Sequence, residues 1–186
     1  DSGGEMILRS KVKELQRDAQ DLFDRAGIRL TDEERARIEV ADFGLGSPER
    51  EGAQIFTFVQ TNRYAAKVIA LLPGQILPEH WHPPVGDDPG KQETVRVAWG
   101  TLFLVGEGPG ALVRAAIPAG KEAAYTLRHE EVLGPGGSRT FRPGEKHWFQ
   151  GGPEGAVVYS FSSVVRDVLD GFTDPAIERI TRIEED

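Results

Sequence analysis

The sequence holds 186 residues, 39% of them hydrophobic and 28% charged, an ordinary globular balance in a chain long enough to bury a core as one domain without a disulfide. A formal net charge of −8 argues against nucleic acid and anionic membrane as partners, since both repel an acidic surface. There is no cysteine, which removes disulfides, thiolate metal sites and cysteine nucleophiles from consideration and suits the cytosol.

The lead "DSGGE" ahead of Met6, the only methionine, is set aside from fold reasoning. No run approaches the roughly eighteen apolar residues of a membrane helix, and no signal-peptide core opens the chain, so a cytoplasmic protein is expected. Ser10 reads as the N-cap of a helix whose apolar positions are Val12, Leu15, Ala19, Leu22, Phe23 and Ala26, with Gly27 as its stop. Thr31 followed by Glu34 has the capping-box form and predicts a second, short helix. This lead, about residues 7–40, is expected to cover one side of the remaining fold. From about residue 50 to 165 the texture becomes that of short strands. "AQIFTFVQT" and "YAAKVIALL" flank a turn at Asn62 as a hairpin would. "TVRVAWGTLFLVGEG", "AYTLRHEEVL", "SRTFRP", "KHWFQ" and "AVVYSFSSV" come next, punctuated by Gly and Pro. That cadence predicts an antiparallel sandwich or barrel. Residues 166–186 read as a polar, turn-rich C-terminal tail, and no domain boundary divides 1–186.

In "PEHWHPP", two of only four histidines stand one residue apart. On a strand, side chains alternate between faces, so His80 and His82 project together and Trp81 projects away. Glu93 opens the next strand, and His147, after the Gly-containing turn of "RPGEKHWF", opens a later one. Three neutral imidazoles and a carboxylate make a mixed N/O site suited to manganese, iron, zinc, nickel or cobalt. Such a site leaves positions open for water or substrate. Lys91, two residues before Glu93, projects to the same face of an extended strand, where its ammonium would bind a substrate hydroxyl or alkoxide. Phe149 shares the face of His147 and is expected as a cavity wall, while Trp81 and Trp148 point toward core or a dimer contact and Trp99 is undecided. His129 in "LRHEEV" reads as a surface residue.

The order Gly74, His80, His82, Glu93, Gly100 resembles the first cupin motif. "GGSRTFRPGEKH", with Gly144 three residues before His147, echoes the second. The gap between His82 and Glu93 is longer than that motif usually has, and "PPVGDDPGK" is expected to form a loop at the barrel mouth. "ADFGLG", "RYAAKVIALLPGQILPEHWHPPVGDDPGKQETVRVAWG", "KHWFQGGPEGAVV" and "SSVVRDVLDGFTDPAI" together resemble the cupin-type D-lyxose isomerase (D-lyxose ketol-isomerase) family, in its short bacterial branch. The resemblance runs from about residue 10 to the end of the sequence. It implies a mainly β fold: a cupin double-stranded β-helix (jelly-roll) barrel with N-terminal helices. It also implies a divalent metal, Mn2+ by preference, on His80, His82, Glu93 and His147. The family's lysine falls on Lys91 and an acid near the end of the barrel on Asp170. The implied activity is aldose–ketose isomerisation of D-lyxose/D-xylulose, and of D-mannose/D-fructose in many members, by a cytoplasmic homodimer.

One departure stands out. Ser160 in "VVYSFSS" occupies the position of the glutamate proposed as the family's base, and Val165 that of a polar residue. Glu145, Asp167 and Asp170 are the candidates for a substitute base, or metal-assisted hydride transfer needs none. Two other readings stand beside isomerisation: an iron-dependent cupin dioxygenase, and a metal- and sugar-binding cupin without turnover.

Overall fold

The computed structural model describes residues 4–186, so the first three residues of the lead lie outside the described residues. Helix α1 (Arg9–Arg25) buries Val12, Leu15, Ala19, Leu22 and Phe23, the stripe its periodicity predicts. Its end is a Schellman motif: Gly27, at φ +76°, donates to the Asp24 carbonyl and Ile28 to the Phe23 carbonyl. Its start differs from the prediction. Ser10 lies inside the first turn, and both its N–H and its hydroxyl donate to the carboxylate of Asp186, at 2.9 and 2.5 Å. The cap is therefore supplied from the far end of the chain, as favours an anion at a helix N-terminus. Thr31 and Glu34 do form the capping box, opening α2 (Asp32–Arg35).

β1 (Met6–Leu8) and β2 (Glu39–Ala41) bracket these helices, two strands within a lead read as purely helical. β3 (Ala53–Gln60) and β4 (Tyr64–Leu71) form the expected hairpin, its turn closed by Thr61 N–H to Tyr64 O at 2.8 Å. β5 (Ile76–Trp81), β6 (Glu93–Gly106), β7 (His129–Leu133), β8 (Ser138–Phe141) and β9 (His147–Ser163) complete the barrel. β7 is shorter than "AYTLRHEEVL" suggests, because the N–H groups of Thr126 and Leu127 bond to the Glu79 carboxylate, at 2.8 and 2.9 Å, instead of joining a ladder. β9 fuses two predicted strands through "GGPEG".

β6 and β9 pair antiparallel along most of their length with bulges at Val97/Trp99 and Gly100/Leu102, and this pairing curls the sheet. Gly100 makes the bend: at φ +77°, a Cβ would lie 2.2 Å from the Gly155 carbonyl oxygen. β9 also pairs with β4 through its C-terminal half and β5 through its N-terminal half. Ile55, Ile69, Leu77, Val95, Leu104 and Phe149 fill the barrel interior. The alternate residues Phe56, Val68, Ala70 and Val157 face outward and are covered by Phe23, Leu22 and Ile28 of the helical lead. Full burial of side chains such as Phe23 and Leu15 contributes about 2–3 kcal/mol each.

The last segment is no loose tail. β10 (Gly171–Phe172) adds antiparallel to β5, opposite Trp81 and His80, and β11 (Arg182–Glu184) pairs in parallel with β1. Among the described residues no helix is long and apolar enough to cross a membrane.

Candidate metal centre

Register assembles the cluster. His80 on β5 stands directly opposite His147 on β9, with ring centroids 4.3 Å apart. His82 comes just after the end of β5 on the same side, its ring 5.1 Å from that of His80. Phe141, at the end of β8, pairs with Glu93 and stacks on His147 at 4.0 Å. One donor atom from each of His80, His82, Glu93 and His147 lies within 4.8 Å of the others, and all four residues are buried.

Each imidazole is anchored through Nδ1. His80 bonds the Pro78 carbonyl at 2.8 Å, His147 the Glu145 carbonyl at 2.9 Å, and His82 the Asp170 carboxylate at 2.9 Å. A carbonyl or carboxylate acceptor holds the proton on Nδ1 and turns the Nε2 lone pair inward. Among the described residues the buried Nε2 atoms of His82 and His147 have no hydrogen-bond partner, and they lie 3.6 and 3.5 Å from Glu93 Oε1. Two orphaned, inward-facing nitrogens beside an ionised carboxylate fit a cation. Ser160 fixes the carboxylate, donating to Glu93 Oε2 at 2.5 Å.

Electrostatics agree. Burial and the neighbouring His147 and His82 rings hold His80 well below the usual imidazole range, in the neutral form that metal ligation requires. Burial opposes ionisation of Glu93, but Lys91 and the adjoining imidazoles outweigh it and keep the group well below the usual carboxylate range. Burial also disfavours charge on His82, yet Asp170 and Glu93 draw its pKa upward; a bound cation reverses that preference.

The cluster opens on a narrow cleft that is partly open to solvent. Lys91 lines it from just before the start of β6, with Nζ 3.9 Å from Glu93 and 3.6 Å from Asp167. Asp170 and Ser160 line it too. Phe149 does not. It shares the face of His147, but two residues along a strand is about 7 Å deeper, and Phe149 packs in the core beside Phe141. The aromatic walls are Phe43 and Phe172, whose rings meet edge-on at 5.8 Å. Glu145 is spoken for by Arg139 and Arg142 outside the cavity, and His129 is half-buried and bonds the Pro109 carbonyl. Trp148 lies in the core against Tyr125, and Trp81 sits under Lys146. "PPVGDDPGK" forms a loop beside His82, tied by the Asp88–Arg166 ion pair at 3.2 Å.

Sequence reasoning missed Lys67, Phe43, Phe172 and Arg179, all cavity-lining. For Lys67 a signal existed: period two places it on the face of Ile69 and Leu71, a lone charge in an inward-facing run. Phe43 has the left-handed φ of +55°, rare for a bulky residue, held by Asp42, which accepts from the N–H groups of Gly44 and Gly46. No residue pattern announces that conformation.

The curled antiparallel sheet and the three imidazoles and carboxylate at its mouth define a cupin barrel with a candidate metal centre. No family model matches the chain. It is 57% identical over 167 residues to the D-lyxose ketol-isomerase of Cohnella laeviribosi, covering 89% of this chain and 92% of that protein. It is 48% identical to the D-lyxose/D-mannose isomerase of Thermosediminibacter oceani, covering 97% and 100%. The chain therefore belongs to the D-lyxose isomerase family. In architecture it matches the L-ribose isomerase of Cellulomonas parahominis solved with L-ribose, with a TM-score of 0.79 at 18% identity over 97% of this chain and 100% of that one. The L-ribose isomerase of Acinetobacter sp. DL28 gives 0.77 at 16%, covering 98% and 100%. These structures bear on the fold alone.

Proposed function

We propose that the protein is a divalent-metal-dependent aldose–ketose isomerase acting on D-lyxose and D-xylulose, and on D-mannose and D-fructose. The observation that carries the reading is the convergence of four buried donors with every imidazole anchored through Nδ1. His80, His82, Glu93 and His147 would hold the ion, with Mn2+ the metal proposed for this mixed set of nitrogen and oxygen donors. When bound, the ion supplies Lewis-acid stabilisation of negative charge developing on neighbouring substrate oxygens.

The chain's own residues do the rest. Lys91, beside the cluster, donates to the substrate oxygens as carbonyl and hydroxyl exchange character. Phe43, Ile55, Ile69 and Phe172 offer an apolar wall to the C–H face of a sugar, while Lys67, Asp170 and Arg179 present polar groups to its hydroxyls. Asp170 reaches the substrate only with what its bond to His82 leaves free. A cytoplasmic homodimer completes the proposal. The absence of cysteine suits that compartment, and exposed Phe58, Tyr64 and Phe161 on adjacent strands β3, β4 and β9 offer an apolar patch for a second copy.

The test is incubation of manganese-loaded protein with each of the four sugars and chromatographic reading of products, with His80→Ala and Lys91→Ala as controls. Conversion lost in both variants is expected. Saturable sugar binding by calorimetry without conversion would instead support a binding cupin, a reading favoured by Ser160, which serves Glu93 and is no base at neutral pH. Oxygen consumption would point to a dioxygenase.

A further inference from the structure

Three carboxylates face the cavity: Glu93, Asp167 and Asp170. Glu93 belongs to the donor cluster, and Asp170 is engaged with the Nδ1 of His82. Asp167 alone touches no imidazole. It is presented by the one-turn 3-10 helix Asp167–Leu169 and meets cations from three parts of the chain. Lys67 on β4 donates to Oδ2 at 3.1 Å, Arg179 stands 3.8 Å from Oδ2, and Lys91 stands 3.6 Å from Oδ1. Among the described residues Oδ1 makes no hydrogen bond within 3.5 Å, so one oxygen of a half-buried carboxylate, its side chain 23% exposed, stays available. The Lys91 ammonium is 3.6 Å from this oxygen and 3.9 Å from Glu93. A sugar whose C1 and C2 oxygens meet Lys91 and the donor cluster would bring its C1–C2 bond toward Asp167.

We propose that Asp167 is the proton-transfer residue of the isomerisation, taking the proton from C2 of the aldose and returning it to C1. The inference rests on the isomerase reading above. The C2–H bonding pair becomes the C1–C2 double bond of an enediol as the carbonyl pair moves onto O1, which takes a proton from Lys91. Lys91 recovers a proton from O2, the O2 carbonyl forms, and the double-bond pair takes the proton on Asp167 at C1. Atoms and electrons balance with no added oxidant or reductant. Burial disfavours an ionised Asp167, but Lys91, Lys67 and Arg179 outweigh it and hold the group below the usual carboxylate range. Asp167 thus meets substrate already deprotonated, and the same cations drive the proton back onto carbon.

The experiment is Asp167→Ala in the manganese-loaded protein, with formate as the replacement carboxylate and chloride as the control anion. A general base contributes about a hundredfold or more, so kcat is expected to fall by at least about that factor. Formate should restore about tenfold or more of it saturably, and chloride at equal ionic strength should not. A folded, metal-loaded Asp167→Ala protein with kcat within about threefold of native overturns the proposal, as does equal rescue by chloride, the mark of a merely charge-balancing anion. Should removal of the buried charge prevent folding, Asp167→Glu keeps the charge and displaces the carboxylate. Its kcat should fall at least about tenfold at unchanged metal stoichiometry, and a value within about threefold of native overturns the proposal. Native protein that converts none of the four sugars overturns the isomerase reading itself, a distinct outcome.

Discussion

Asp170 offers a quantitative test of how the proposed metal centre is held. Its carboxylate bonds His82 Nδ1 at 2.9 Å with both side chains almost wholly buried, at 10% and 5% exposure. His80 and His147 lean on main-chain carbonyls, so only His82 owes its orientation to a removable side chain. Partners that orient a metal-bound imidazole are typically worth 10–100-fold in metal affinity, about 1.4–2.7 kcal/mol. Asp170→Asn keeps the shape and an acceptor oxygen but loses the charge that roughly doubles such a bond, so about a tenfold loss of manganese affinity is expected. Asp170→Ala also leaves a buried Nδ1 unpaired and the ring free to turn, which places it near a hundredfold. Competition against a calibrated chelator measures both, and KM for sugar at saturating metal is read alongside. If Asp170→Ala binds manganese within about threefold of native while KM for sugar rises more than about tenfold, Asp170 contacts substrate and the orienting role is refuted.

The same geometry predicts other outcomes. Glu79 is fully buried and accepts from Thr126 N–H and Oγ, Leu127 N–H and Thr173 Oγ, so Glu79→Ala strands four donors. We expect a loss of about 3 kcal/mol or more, a fall of about 6–12 °C in Tm by calorimetry. Gly100→Ala forces a Cβ to 2.2 Å from the Gly155 oxygen at a left-handed φ. It should cost more than about 3 kcal/mol in urea unfolding, or fail to fold. Burial opposes ionisation of both Asp167 and Asp174, yet the cations around Asp167 and Lys121 beside Asp174 hold them below the usual carboxylate range. Groups of that sign stabilise fully above the unfolded value near pH 3.9 and lose the contribution as pH falls through their lower folded values. The urea midpoint should therefore drop between about pH 4 and 2, with a shallower drop in Asp174→Asn. An unchanged acid limb in that variant would reject the ion pair's role.

Much of the barrel and all four members of the donor cluster were readable from sequence, because both rest on local rules. Alternation puts His80 and His82 on one side, and glycine-bearing turns place Glu93 and His147 at strand starts. What escaped depends on distant pairing. The helix cap from Asp186, the strand pairing of β1 with β11, and the closing of the cavity by Phe172 and Arg179 against Phe43 join residues more than ninety positions apart. No periodicity within a window of a dozen residues encodes them. Phe149 failed for a related reason: alternation gives the side of a sheet but not the depth along it. Glu145, Asp167 and Asp170 looked alike as acids near the right motifs, and only their partners separate them. Arginines claim the first, three cations the second and an imidazole the third.

The anchoring of the imidazoles also shapes how such a centre drifts over evolutionary time. Main-chain carbonyls behind His80 and His147 survive any exchange of side chain at Pro78 or Glu145 that leaves the backbone path intact. Heritable adjustment of ion retention is thereby funnelled through the two positions that act by side chain, Asp170 behind His82 and Ser160 behind Glu93. A lineage adapting to scarce or abundant metal would show its substitutions there first, with the ligands themselves untouched.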